Sequence, residues 1–184
     1  MRNEIAELIQ GIAPYDDLEK FQIRETLDWI RSDAEIFRLE KPATPPKHLV
    51  SYFLLVDKTE RQVLLVDHKK AQLWLPSGGH VELDEHPRVT VEREMEEELG
   101  IRAKFIQDTP FFLTATPTGG LDNEDGIIHT DVSLWYLLEG DIHQTLDFDQ
   151  REFHGIQWFS FDNIPYPRTD PQMGRFMKKL ETIY

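Results

Sequence analysis

At 184 residues, 40% apolar and 11% aromatic, the chain is long enough for one domain with an appended element and apolar enough to fill a core, which excludes a disordered chain. It contains no run of about 18 apolar residues, and its first residues mix charged with apolar side chains, so neither a membrane span nor a signal peptide is expected. The formal net charge of −14 disfavours a face for duplex nucleic acid, and the lack of cysteine excludes disulfides and thiolate sites and points to the cytoplasm.

In chain order, Ile5, Leu8, Ile9 and Ile12 recur at helical spacing until Pro14 ends the run. Asp16 or Asp17 is placed to cap a second helix with Ile23, Leu27, Ile30, Ala34 and Phe37 as its apolar stripe, and Ser32 and Glu35 have the spacing of a capping box that restarts it. This helical hairpin, with the proline-rich residues 41–46 as its linker, defines an N-terminal extension over 1–47. Its stripe has to be covered by the rest of the chain or by a partner subunit, which leaves room for a homodimer. The second region, 48–184, is strand-like at first. Residues 50–56 and 63–66 predict a β-hairpin, and 73–75 a short strand that breaks into a glycine loop and resumes at 80–83. Pro87 opens a helix that runs to Leu99, with Gly100 at its left-handed C-terminal cap. Strands are expected at 103–106, 111–116, 127–138 and 156–161. A last helix over 171–183 carries Met173, Phe176, Met177 and Leu180 on one face.

Glu94, Glu97 and Glu98 stand at i, i+3 and i+4 on the helix after Pro87 and project within an arc of about 100°. Val91, Met95 and Leu99 form an apolar stripe beside them. Like charges at this spacing cost roughly 0.2 to 0.5 kcal/mol per pair, and carboxylates near a helix C-terminus oppose its dipole by roughly 0.3 to 1 kcal/mol each. A hard divalent cation, held by oxygen ligands, would compensate; a solvated acidic face is the alternative for these glutamates taken alone.

The wider spacing is more specific. Gly79, five residues, Glu85, seven residues, Arg93-Glu94, Met95, Glu96, Glu97-Glu98, Leu99, Gly100 and Ile101 match every fixed position of the Nudix box. On these 23 residues the chain resembles the Nudix hydrolase superfamily, and the surrounding element order is similar to that family's from about 48 to 166. The resemblance implies an α/β (α+β) fold, an α/β/α sandwich around a mixed sheet, with the helical hairpin appended. Small departures are Ser77 between Pro76 and the glycines, and Thr90-Val91 where alanines are frequent.

The same resemblance implies that Glu94, Glu97 and Glu98 hold Mg²⁺ or Mn²⁺, with one of them also a candidate to take the proton of the attacking water. It implies that Arg93 orients a glutamate, that the Gly79 carbonyl reaches the metal, and that Glu85 supports metal and substrate from the loop. For Glu85 the dipole of the following helix is a sufficient alternative. His80, directly after the loop glycine, is a candidate for a substrate phosphate or else a surface histidine. The seven histidines otherwise show no metal-binding spacing. Glu152, six residues before Trp158, resembles a loop glutamate that completes the metal site in several Nudix hydrolases; the alternative is a surface acid beside Arg151. Residues 121–126, hinged at Gly119-Gly120, read as an acidic loop that closes over the site. The implied reaction is metal-dependent hydrolysis of a phosphoanhydride in a nucleoside triphosphate or a nucleoside diphosphate linked to another group. Rivals are an ADP-ribose or nucleotide-sugar pyrophosphatase, to which Pro117 lends a hint, and a non-catalytic nucleotide-binding module.

Overall fold

The computed structural model describes residues 1–41, 43–118 and 128–184. Helices α1 (Arg2–Gln10) and α2 (Asp17–Arg31) form where the periodicity predicts them. The Asp16 carboxylate caps α2 by accepting from the Glu19 amide at 2.8 Å.

The face that α2 buries is Glu19, Gln22, Thr26 and Ile30, one position round from the predicted stripe, with Ile23 and Leu27 only half-buried. The neighbour explains the rotation. Helix α2 packs on strand β5 (Phe112–Thr118), which ends the strand order of the sheet. Glu19 accepts from the Leu113 amide at 3.1 Å and the Tyr15 amide at 2.6 Å, while Gln22 donates to the Ala115 carbonyl at 3.1 Å. Side chains of the helix thus pair backbone groups that an edge strand leaves open.

Contrary to the capping-box expectation, no helix restarts after Arg31. The Ser32 hydroxyl donates to the Trp29 carbonyl at 2.7 Å, and Glu35 accepts from the Ile36 and Phe37 amides at 2.7 and 3.0 Å. These local bonds satisfy the backbone without a helical turn. Ala34 is exposed, and Ile36 and Phe37 enter the core from irregular backbone.

The remaining strands are β1 (Lys47–Asp57), β2 (Gln62–His68), β3 (Leu73–Leu75), β4 (Ser77–His80), β6 (His129–Glu139) and β7 (Phe153–Ser160). The order is β3-β2-β1-β6-β5, with β4 on β1 and β7 on β2. Pairs β1/β2, β2/β3, β2/β7 and β5/β6 are antiparallel. Strands β1 and β6 run parallel, because Thr130 donates to Pro46 and Gly140 to Val56 at the same offset, so the sheet is mixed. Strand β1 is buried along nearly its whole length and β6 from Val132 to Leu138, as the apolar runs of central strands require. Two strand predictions change. The glycine segment itself is β4 and the strand stops at His80, while 103–106 keeps a single bridge, Phe105 to Leu138.

Helix α3 (Pro87–Leu99) starts at Pro87 as predicted, and Gly100 has φ +67. Helix α4 (Met173–Leu180) buries Met173, Phe176, Met177 and Leu180. The chain divides into two compact units, one of Met1–Tyr52, Gly79–Val91 and Thr109–Tyr136, the other of Phe53–Gly78, Glu92–Asp108 and Leu137–Tyr184. In the first, Trp135 is fully buried, donates to the Thr114 hydroxyl at 3.0 Å and meets Tyr52 and Phe112 edge-on. In the second, Leu54, Val63, Leu65, Met95, Leu99, Leu138, Phe153 and Phe176 form the core.

Candidate functional site

The second unit brings Arg93, Glu94, Glu97, Glu98 and Glu152 to one place. Met95 and Leu99 are fully buried on the apolar side of α3. On its other side the three glutamates differ sharply in exposure. The Glu97 side chain is 61% exposed, Glu94 is 14% exposed, and Glu98 is buried at 6%. Glu98 therefore does not lie on a free face, as the helical wheel alone implies. Its Oε2 accepts from the Gly78 amide at 3.1 Å. Gly78 has φ 141, a conformation that glycine tolerates and other residues rarely adopt.

Burial pushes the Glu98 carboxyl up to about 9, and the charges of Glu94 and Glu152 add to this, while the Gly78 amide and the Ser77 hydroxyl pull the other way. Glu94 is also raised, first by burial and then by Glu97 and Glu152, against the opposing Arg93 guanidinium. Arg93 Nη1 lies 2.7 Å from Glu94 Oε1 and 3.7 Å from Glu97 Oε2. One guanidinium thus serves two carboxylates, and Glu98 is left to the Gly78 amide and the Ser77 hydroxyl.

Glu152 reaches this group from the segment before β7. The Asp149 amide donates to the Glu98 carbonyl at 2.9 Å, using an acceptor that the end of α3 leaves unpaired, and the Lys69 amide donates to the Glu152 carbonyl at 2.9 Å. Asp149 binds the Arg151 guanidinium at 2.6 Å, which holds its carboxyl at about 2. Glu152 is itself exposed, and it is close enough to raise both Glu94 and Glu98.

Gly79, His80 and Glu85 belong to the first unit. The Glu85 carboxylate accepts from the Thr90 hydroxyl at 2.7 Å and the Glu82 amide at 3.1 Å, which ties the loop ahead of α3 to its first turn. His80 Nε2 lies 3.2 Å from Arg38 Nη1, and its ring centroid is 4.9 Å from that of His48. Burial first, then the Arg38 charge, lowers the ring to about 3, so His80 is neutral. The predicted acidic loop with its glycine hinge lies outside the described residues.

Sequence spacing offers no reason to group histidines, yet His48, His80 and Asp131 meet in the first unit with their ligand atoms within 4.8 Å of one another. They sit on β1, β4 and β6, far apart in the chain, so only pairing of strands could reveal them. A polar histidine at the start of an apolar strand is the sole signal that the sequence carries.

A fold with a mixed sheet, a glycine turn and a glutamate-lined helix is that of the Nudix family, and the chain belongs to it: residues 46–180 match the family's NUDIX domain. Among curated proteins it is similar to a MutT-like protein of Streptomyces ambofaciens, 30% identical over 94 residues, which are 45% of this chain and 61% of that protein. The chain thus spans less than two thirds of that relative's length. Its fold is similar to that of a MutT NUDIX hydrolase from Burkholderia pseudomallei, with TM-score 0.52, 23% identity and 71% and 95% of the two chains covered. A NUDIX-family hydrolase from Clostridium perfringens has TM-score 0.54 at 20% identity over 74% and 98%. A MutT protein from Methanosarcina mazei has TM-score 0.54 at 18% identity over 73% and 92%. Among the described residues no helix is long and apolar enough to cross a membrane.

Proposed function

We propose that the protein is a divalent-metal-dependent pyrophosphohydrolase that cleaves a phosphoanhydride in a nucleoside triphosphate or a nucleoside diphosphate linked to another group. The observation that carries this reading is the crowding of carboxylates at Glu98. A buried acid pushed to about 9 by burial and by two neighbouring carboxylates lacks a positive partner of its own, since Arg93 is engaged by Glu94 and Glu97. An all-oxygen donor set around a missing positive charge fits Mg²⁺ or Mn²⁺.

Glu94, Glu97 and Glu98 would hold that ion, beside the Gly78 backbone that already bonds Glu98. When bound, it neutralises the diphosphate oxygens and lowers the pKa of water. Arg93 fixes the Glu94 carboxylate by a charge-assisted bond. Exposed, and close enough to act on both Glu94 and Glu98, Glu152 is the group best placed to take a proton from the attacking water. Glu85, bound to Thr90, shapes the loop before α3 rather than offering a free carboxylate.

The test is a panel of nucleoside triphosphates, nucleotide sugars, ADP-ribose and dinucleoside polyphosphates, assayed with and without Mg²⁺ and read by product identity. Metal-dependent release of a nucleoside monophosphate, lost in Glu97→Gln and Glu98→Gln, supports the reading. Turnover restricted to ADP-ribose or nucleotide sugars narrows it to that branch. Tight nucleotide binding with no turnover across the panel identifies a binding module and refutes hydrolysis.

A further inference from the structure

A second cluster of potential ligands lies wholly within the first unit and has no part in the glutamate site. His48 is fully buried near the start of β1. Its Nδ1 is 2.8 Å from the Pro45 carbonyl oxygen, which can only accept, so Nδ1 carries the ring hydrogen. In the neutral ring Nε2 is then a bare lone pair. It stands 3.2 Å from Asp131 Oδ1, which is also an acceptor. Both atoms are shielded from solvent and neither has a hydrogen-bond partner. A bare Nε2 this close to a buried carboxylate oxygen calls for a positive centre between them, either a proton on Nε2 or a bound cation.

The surroundings already resemble an outer shell for a metal. A backbone carbonyl fixes the His48 tautomer, and the Thr118 hydroxyl donates to Asp131 Oδ2 at 3.2 Å, holding the carboxylate while Oδ1 stays available. His129 stacks on His48 with ring centroids 5.4 Å apart and places Nε2 3.3 Å from Asp131 Oδ1. His80 supplies a third ligand atom, all three lying within 4.8 Å of one another. A tetrahedral ion with ligands at about 2.0 to 2.1 Å separates them by roughly 3.3 Å, which the His48 to Asp131 spacing already matches.

We infer that His48, His80 and Asp131 bind a transition-metal dication of the Zn²⁺ type. Two imidazoles and one carboxylate suit Zn²⁺ or its neighbours, whereas Mg²⁺ prefers an all-oxygen set, so the two sites of this protein would select different ions. The bound ion would tie together the ends of β1, β4 and β6. Arg38 opposes it by its positive charge, with Nη1 donating to His80 Nε2 at 3.2 Å.

Equilibrium dialysis of the full chain against Zn²⁺ in millimolar Mg²⁺ tests the inference, with Glu98→Gln as the background that weakens the glutamate site. The expected result is one Zn²⁺ per chain in that background, with Co²⁺ giving the absorption bands of a tetrahedral site. His48→Gln and Asp131→Asn should weaken Zn²⁺ by at least about 100-fold, more than the loss of an outer-shell partner does, and Arg38→Gln should tighten it. Asp131→Asn keeps the side chain's shape and its Thr118 contact, so it decides the matter if His48→Gln fails to fold. No Zn²⁺ bound in the Glu98→Gln background, or undiminished affinity in folded Asp131→Asn, overturns the site. In the first case, a His48 ring protonated on both nitrogens by NMR would identify a proton as the shared positive centre. None of these outcomes depends on nucleotide turnover.

Discussion

Replacing Glu98 by glutamine should make the metal-free protein more stable while removing most of its turnover. Folding takes this carboxyl from an ordinary 4.5 to about 9, chiefly by burial, with Glu94 and Glu152 adding to the shift. An unfolded glutamate releases its proton near pH 4.5, whereas the folded one keeps it until about pH 9. Between those values the folded chain binds more protons than the unfolded chain, so stability falls as pH rises. At pH 7.5, about three pH units above the unfolded value, the loss is roughly 4 kcal/mol at 1.36 kcal/mol per unit. Local relaxation reduces this, so a recovery of about 2 to 4 kcal/mol is expected, equivalent to roughly 5 to 15 °C in Tm for a chain of this size.

Glutamine keeps an oxygen for the Gly78 amide and carries no charge for Glu94 and Glu152 to oppose. Thermal melts in chelator from pH 5 to 9 should therefore show wild type declining and Glu98→Gln nearly flat, with the two converging near pH 5. A shallow residual slope is expected from Glu94, whose carboxyl is raised for the same reason. Addition of Mg²⁺ should restore wild-type stability at pH 8 and leave the variant almost unchanged. Parallel pH profiles in chelator, or a variant less stable than wild type at pH 8, would refute the account of Glu98 as a buried acid without a positive partner.

Glu152→Gln should lower turnover by roughly 10² to 10⁴-fold with KM little changed, the range for a lost proton acceptor; steady-state kinetics showing an effect below about threefold would return Glu152 to a surface role. Glu19→Ala leaves the Leu113 amide unpaired on the edge strand and should cost about 1 to 3 kcal/mol in urea unfolding, an unchanged midpoint arguing that α2 does not guard that edge. Gly140→Ala would place a Cβ 2.5 Å from Trp158 Cη2 and 2.9 Å from Leu55 Cβ. Overpacking of that kind costs about 1 to 3 kcal/mol, and a melting temperature equal to wild type would show that the indole moves aside freely.

What the sequence discloses is what short-range spacing carries. Pro87, Gly100 and the repeat of Val91, Met95 and Leu99 set the limits and buried side of α3, and the apolar runs of β1 and β6 announce central strands. The candidate site is marked by the wider spacing from Gly79 through Glu85 to Arg93, Glu94, Glu97, Glu98 and Ile101, since the glutamates taken alone leave a solvated face as the alternative. Contacts decided by a distant partner are not legible in this way. The buried face of α2 turns on Glu19 and Gln22, polar residues that no hydropathy pattern assigns to the inside, because their partners are backbone atoms of β5 some ninety positions away. Likewise Ser32 and Glu35 have helix-start spacing, but the same groups satisfy a non-helical bend when the next apolar residues, Ile36 and Phe37, are needed elsewhere.

Helical spacing and burial assign very different energies to the same glutamates. As surface residues, Glu94 and Glu98 at i, i+4 repel by a few tenths of a kcal/mol, too little to demand an ion. Burial of Glu98 raises the penalty of ionising it to several kcal/mol, and the Gly78 amide, donating to Oε2 at 3.1 Å, offsets only part of it. The helix supplies the three carboxylates, and burial with the neighbouring Glu94 and Glu152 makes one of them hard to charge. A cation that ionises Glu98 recovers part of that penalty as folding stability, so metal affinity and metal-free instability are two measures of one electrostatic arrangement. A substitution at Gly78 that holds its amide away from Glu98 removes the one backbone donor to the carboxylate and should push the carboxyl higher, which melts in chelator at pH 8 would read as a further loss of stability.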